Sequence, residues 1–475
     1  MNKAFERVMI MSKSRRFLGV CLGLCVGYAL PWNGERDLGS YGFHTAMARQ
    51  LSDDEKLFKQ FPKAGTLFNQ GCQFFDHQQW QKALPPFDEF VHQFSGVQDP
   101  VMQKLVAQAL SNKGFILSKL ERYDEAIVID DDVVHRFSSS QNNLIQEAVA
   151  QALVNKGFSL NRLDRPEEAI AVYNNAIHQF GVSQDPVIQG QISEAFLNKG
   201  DALKKLSRYE EAIAAYDEVV NRFGALQNLA VQRNVGMALL NKGVSLVNLH
   251  RYEEALAANN EVLRRFSGSQ DKALLRMVAT ALVNKSINLG YLHRDDEAAA
   301  VNNEAIRLLK DIQSNKDFYT MHKDFYSRSG KELAQALLNK GIMMDKFHRN
   351  TEAFEAWDEL IRLFRGDPTV RGDVALAFFF EGNIFYRTHR LEQAVAFYNE
   401  AVRMFDDIPH TLSLDQKEDV VEALFFGAQA LQASNRPIEA ALVYKQLVLR
   451  FGNQQGGTIR QYITKARAEL AKLQY

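Results

Sequence analysis

The chain has 475 residues, 46% hydrophobic and 24% charged, which suits a soluble surface over a real core. Its 56 lysines and arginines almost balance 57 aspartates and glutamates, so no net field draws it to nucleic acid or an anionic membrane. Such a length fits several ordinary domains, or one array of repeats in which each unit buries its apolar face only against its neighbours.

Residues 1–48 differ in character from the rest. Lys3, Arg7, Lys13, Arg15 and Arg16 precede an apolar run from Phe17 to Leu30, and Ala46-Met47-Ala48 follows as a small-residue cleavage site. These are the parts of an export signal, so cleavage after Ala48 and a periplasmic or cell-surface location are the expectation. The long gap before the site leaves an uncleaved membrane anchor at 17–30 as the alternative, although that run is short for a bilayer span. Cleavage would remove Cys21 and Cys25 and leave Cys72 alone, so the fold depends on no internal disulfide. Residues 49–65 read as a linker or N-terminal cap.

From residue 66 to residue 452 the chain repeats itself. The phrase A-L-x-N-K-G and its variants place Gly114, Gly157, Gly200, Gly243 and Ser286 at steps of 43 residues. Gly71 begins the series, and Gly341, Gly382 and Ala428 continue it. An alanine stands twelve residues after each small residue: Ala83, Ala126, Ala169, Ala212, Ala255, Ala298, Ala353, Ala394 and Ala440. Each copy reads as two helices. Pro186 to Leu206 shows apolar recurrence at helical spacing, Ser207-Arg208 interrupts it, and Tyr209 to Phe223 forms a second run. The loop after that run should stop one helix with glycine, such as Gly224, and start the next with a capping Asp, such as Asp185. Glycine inside a helix costs about 1 kcal/mol relative to alanine. The spacing predicts that each glycine admits the second helix closely, with the matching alanine on the facing side. Residues 453–475 hold a last amphipathic run, Ile459-Tyr462-Ile463-Ala466-Leu470, expected to cap the final repeat.

This pattern resembles the tetratricopeptide repeat family: Gly200, Ala212 and Tyr216 match its small, alanine and aromatic positions, and Phe87, Tyr173, Trp357, Tyr398 and Tyr444 hold the aromatic place in other copies. The resemblance implies an all-α fold, a right-handed superhelical solenoid of nine helical hairpins with a C-terminal capping helix. It also departs from the family. The period of 43 residues exceeds the usual length of about 34, and the additional residues, such as Pro186-Val187-Ile188-Gln189, are expected to lengthen the first helix. The aromatic place is polar at Asp130, Asn259 and Asn302, and lysine replaces the family's leucine at Lys113, Lys156, Lys199, Lys242, Lys285 and Lys340.

Two residues before each small residue stands an asparagine: Asn69, then Asn112, Asn155, Asn198, Asn241, Asn284 and Asn339. The resemblance implies that this column looks into a concave groove, where primary amides can clasp the backbone of an extended peptide. The same amides can instead bond to neighbouring helices and hold the repeats in register, and the sequence leaves both readings open. The lysine column reads as apolar stems with solvated amines, or as contacts for acidic groups on a partner. The acidic pairs Glu167-Glu168, Glu210-Glu211 and Glu253-Glu254 suit the start of a helix. His250, His293, His348 and His389 fall at one turn position in successive repeats, too far apart to share a metal ion. The step from Ser286 to Gly341 is 55 residues and brings Phe318, Tyr319, Phe325 and Tyr326, candidate interface anchors or packing for a longer hairpin.

No catalytic motif, metal-binding spacing or cofactor signature is present, so the expectation is a non-enzymatic adaptor that holds a protein or extended peptide segment. The alternative is a structural spacer or self-assembling scaffold. Partner identity and oligomeric state are not written in the sequence.

Overall fold

Five helix starts in this chain are written as Asp or Asn before an apolar run, at Asp99, Asn142, Asp185, Asn228 and Asp271, two of them with proline at the first helical position. The computed structural model describes residues 57–314, 323–408, 412–454 and 457–473, so the export or anchor segment and the 49–56 part of the linker lie outside the described residues. These residues fall into two units, one ending at Arg265 and the other beginning at Phe266.

The first unit contains α1 (Pro62–Asp76), α2 (Trp80–Phe94), α3 (Pro100–Lys119), α4 (Tyr123–Phe137), α5 (Asn143–Arg162), α6 (Pro166–Phe180), α7 (Pro186–Lys205), α8 (Tyr209–Phe223), α9 (Leu229–Asn248) and α10 (Tyr252–Phe266). From α1 to α9 each helix packs on the next, and α3, α5, α7 and α9 also pack on one another. The architecture is a stack of helical hairpins in which the odd helices pack on one another as one row, called inner below, and the even helices flank them as the outer row. Asp99 accepts from the Val101 and Met102 amides, Asn142 from Leu144 and Ile145, and Asp185 from Val187 and Ile188. Each cap contributes about 1 kcal/mol by satisfying amides that the helix leaves open. The long period is absorbed in the odd helices, as α3, α5, α7 and α9 each have 20 residues while α4, α6 and α8 have 15.

The second unit contains α11 (Lys272–Tyr291), α12 (Asp295–Ser314), α13 (Lys323–Lys346), α14 (Asn350–Phe364), α15 (Arg371–Arg387), α16 (Leu391–Asp406), α17 (Leu414–Ala433), α18 (Pro437–Phe451) and α19 (Gly457–Leu473). It is stacked in the same way, odd helices again packing on odd. The 55-residue step lengthens both of its helices, α12 to 20 residues and α13 to 24. At the C-terminus α19 packs on α17 and α18 through Ile459, Tyr462, Ile463 and Ala466, all buried. No helix among the described residues is long and apolar enough to cross a membrane.

Two local expectations are corrected. Apart from Gly243, which lies against Asn259 and the Ala255 carbonyl, the glycines of the inner row do not meet the alanines first. Their space is filled by the residue sixteen positions on: a β-carbon built at Gly157 would lie 2.4 Å from the Tyr173 ring, and one at Gly200 would lie 2.4 Å from that of Tyr216. Gly341 meets Trp357 and Gly382 meets Tyr398 in the same way. These large side chains are fully buried, so the missing methyl group makes room for a ring rather than for a second helix backbone. The second correction concerns the helix stops. Gly181, Gly224 and Gly452 have right-handed backbone with φ near −64°, −62° and −58°, and Ser95 and Ser138 fill the equivalent place. The left-handed residues stand at the ends of the odd helices instead and none of them is glycine: Gln78, Glu121, Asp164, Ser207, His250, His293, His348, His389 and Asn435 have φ between 55° and 61°. There the Arg122, Arg165, Arg208 and Arg251 amides reach back to the Leu117, Leu160, Leu203 and Leu246 carbonyls, closing the helix by the six-to-one bond of a Schellman turn.

Candidate functional site: the polar columns of the repeats

The asparagine column is placed unevenly. Asn112, Asn155, Asn241 and Asn339 are buried, Asn198 and Asn284 are half-buried, and Asn69 in the first copy is exposed. Asn155 accepts from Gln151 Nε2 at 2.9 Å, and Asn198 donates to Glu194 at 3.4 Å. Asn241 donates to Asp201 of the preceding repeat at 2.9 Å. Asp201 also accepts from the Tyr216 hydroxyl at 2.7 Å and pairs with Lys204 at 3.3 Å, so one carboxylate ties two inner helices and an outer one. The Nδ2 atoms of Asn112 and Asn339 are buried and have no protein partner. Of the four aromatics in the long step, Phe318 and Tyr319 lie outside the described residues, and Phe325 and Tyr326 belong to the first turn of α13.

The lysine column is tied between repeats. Lys113, Lys156 and Lys242 pair with Asp88, Asp131 and Asp217 of the preceding outer helix at 2.6, 2.5 and 2.6 Å. A sequence interval of 25 residues separates each pair, a signal present in the sequence that a search for motifs within one repeat passes over. Where Asn174 replaces the aspartate, burial lowers the Lys199 pKa. In the penultimate hairpin the lysine place is taken by Glu381, and the facing residue is Asp358. Glu381 is 1% exposed, its Oε1 has no protein partner, and burial followed by the Asp358 charge pushes its pKa up to about 8.

A second repeated device stands at the start of the outer helices. Arg122, Arg165, Arg208, Arg251, Arg294, Arg349 and Arg436 each hold the glutamate three residues on with two nitrogens, as Arg165 holds Glu168 at 2.7 and 2.7 Å. The second member of each acidic pair is therefore clamped. Arg251 reaches further, to Glu210 of the preceding repeat at 3.0 Å, and Arg436 reaches Glu392 at 2.7 Å. Partner hydrogen bonding lowers the pKa of Glu168, Glu211 and Glu254.

The four turn histidines are left-handed cap residues, and His250 Nδ1 lies 2.8 Å from the Tyr252 hydroxyl. Among the described residues no group of three or more His, Cys, Asp and Glu side chains is placed to hold a metal ion. Cys72 is buried, and burial followed by the Asp76 charge raises its pKa to about 12, so its thiol is not a nucleophile at neutral pH.

Compared with known proteins, residues 159–225, 197–270 and 345–407 match the family model described as tetratricopeptide repeat, and residues 313–370 match that of anaphase-promoting complex subunit 5. No curated protein matches the sequence. Among solved structures, the apo form of RapI superposes with a TM-score of 0.53 at 13% identity, covering 86% of this chain and 98% of that one. The apo form of the quorum sensor NprR from B. thuringiensis gives 0.50 at 14% identity, covering 85% of this chain and all of that one, 100%. Three stretches of the chain thus match the tetratricopeptide-repeat model, and the fold is an all-α solenoid of helical hairpins.

Proposed function

We propose that this protein is an exported, non-catalytic adaptor that holds an extended segment of another protein along the inner helices of its repeats. The observation that supports this reading is one amide at the same place of successive inner helices, α3, α5, α7 and α9. Asn198 and Asn284 retain access to solvent, and buried members such as Asn241, bonded to Asp201, hold the helices that present them. Each amide bond to a peptide backbone contributes only about 0.5–1.5 kcal/mol, so binding would draw on several rungs and on neighbouring side chains.

The test is affinity capture from an envelope extract with the wild type and with Asn155→Ala/Asn198→Ala/Asn241→Ala, alongside thermal melting of both. Loss of a captured protein by a variant that still melts cooperatively supports the clasp. Equal capture by both, with a lowered melting temperature, assigns the column to register and leaves a repeat spacer as the reading. Replacing Phe318, Tyr319, Phe325 and Tyr326 by alanine tests the long step in the same assay. Export is tested by N-terminal sequencing: a start at Arg49 supports cleavage after Ala48, and a start at Met1 refutes it.

A further inference from the structure

The outward face of α18 departs from those of the outer helices before it, where Val128 of α4 alone among the described residues is a large exposed apolar side chain at one of these places. The solvent-facing places of α6 are Glu167, Ala171 and His178, those of α8 are Glu210, Ala214 and Asn221, and those of α16 are Glu392, Ala396 and Arg403. In α18 the same places hold Ile438, Leu442 and Leu449, exposed by 59%, 60% and 90%. The C-terminal helix does not cover them, because α19 packs with α17 and α18 through other residues and leaves this face open. With Lys445, the three follow alternating steps of four and three residues, the spacing of a helix–helix seam.

We infer that α18 is a self-association surface, pairing antiparallel with α18 of a second copy of this chain about a two-fold axis between Leu442 and Lys445. A two-fold contact uses one patch twice, so a single self-complementary stripe suffices. In this register Ile438 faces Leu449 of the second copy, and Leu442 packs on the stem of its Lys445. Charge fixes the direction. Antiparallel pairing brings the Lys445 amine within a turn of Glu439 of the other copy, where two carboxylates, Glu439 and Glu392, share the one Arg436, whereas parallel pairing sets Lys445 against Lys445. A seam on one helix is small by the standards of permanent dimers, so association depends on concentration. This inference is independent of the groove.

Sedimentation equilibrium of the full chain over a concentration series tests it. The mass should rise from one chain towards two, and Leu442→Glu/Leu449→Glu should stay monomeric with an unchanged melting temperature, since both side chains are in water. Lys445→Glu should weaken association, most at low salt. A wild type that stays monomeric at every concentration overturns the proposal, as does a double variant that associates like the wild type. An unaltered association constant for Lys445→Glu overturns the antiparallel arrangement.

Discussion

A methyl group added at Gly200 would lie 2.4 Å from the Tyr216 ring, but at Gly243 the nearest atom would be 3.6 Å away, on Asn259. The same substitution therefore has opposite signs in adjacent repeats. Gly243→Ala should stabilise by about 1 kcal/mol through helix propensity, while Gly200→Ala should destabilise by about 1–3 kcal/mol as the buried ring is displaced. Urea unfolding of the two variants measures the contrast. Glu381 makes a second prediction at this scale. Its folded pKa is raised from 4.5 to about 8, so between those values the folded chain keeps a proton that the unfolded chain has lost. Stability then falls as pH rises through this window and levels off above it. Glu381→Gln should remove that share of the slope, and Glu381→Lys should restore the tie to Asp358; unfolding midpoints across the window test both.

At the scale of the helix, the Schellman turns carry an unrelieved cost. A non-glycine residue in left-handed backbone costs about 1–2 kcal/mol, and Glu121 has φ of 61° with its side chain in water. Glu121→Gly should raise stability by about 1 kcal/mol, seen as a higher melting temperature, whereas glycine at the right-handed Ser138 should not. Between helices, Asn241→Ala removes the bond to Asp201 and should cost about 1 kcal/mol without changing the fold. Helix existence and pairing were legible from the 43-residue period and from capping residues such as Asp185, because caps and apolar spacing act within one helix. What fills the space over Gly157, and which turn goes left-handed, depends on how two helices meet. A pattern of residue types does not encode that distance.

Across the whole molecule, the arrangement of the candidate site was only partly legible for the same reason. The sequence placed the asparagines in one column, yet Asn155 is buried and Asn198 half-buried, a difference set by the stacking of inner helices. The C-terminal cap was legible, and its rings now have partners: Tyr462 lies 5.1 Å from Phe425 and 6.1 Å from Phe426. Deleting residues 457–475 should uncover these rings and make the protein bind a hydrophobic dye and aggregate, which light scattering would detect.

The ties between lysine and aspartate have a consequence for how such a chain can change length. Lys156 finds Asp131, and Lys242 finds Asp217, across the same 25-residue interval. Tandem duplication or loss of any 43-residue stretch within α3 to α9 therefore yields a junction whose lysine meets an aspartate or, as at Asn174, a neutral amide. Unequal recombination can add or subtract repeats there without stranding a charge. A duplication starting just before Asp358 has no such protection, because it would copy both facing carboxylates, Asp358 and Glu381, into the longer chain.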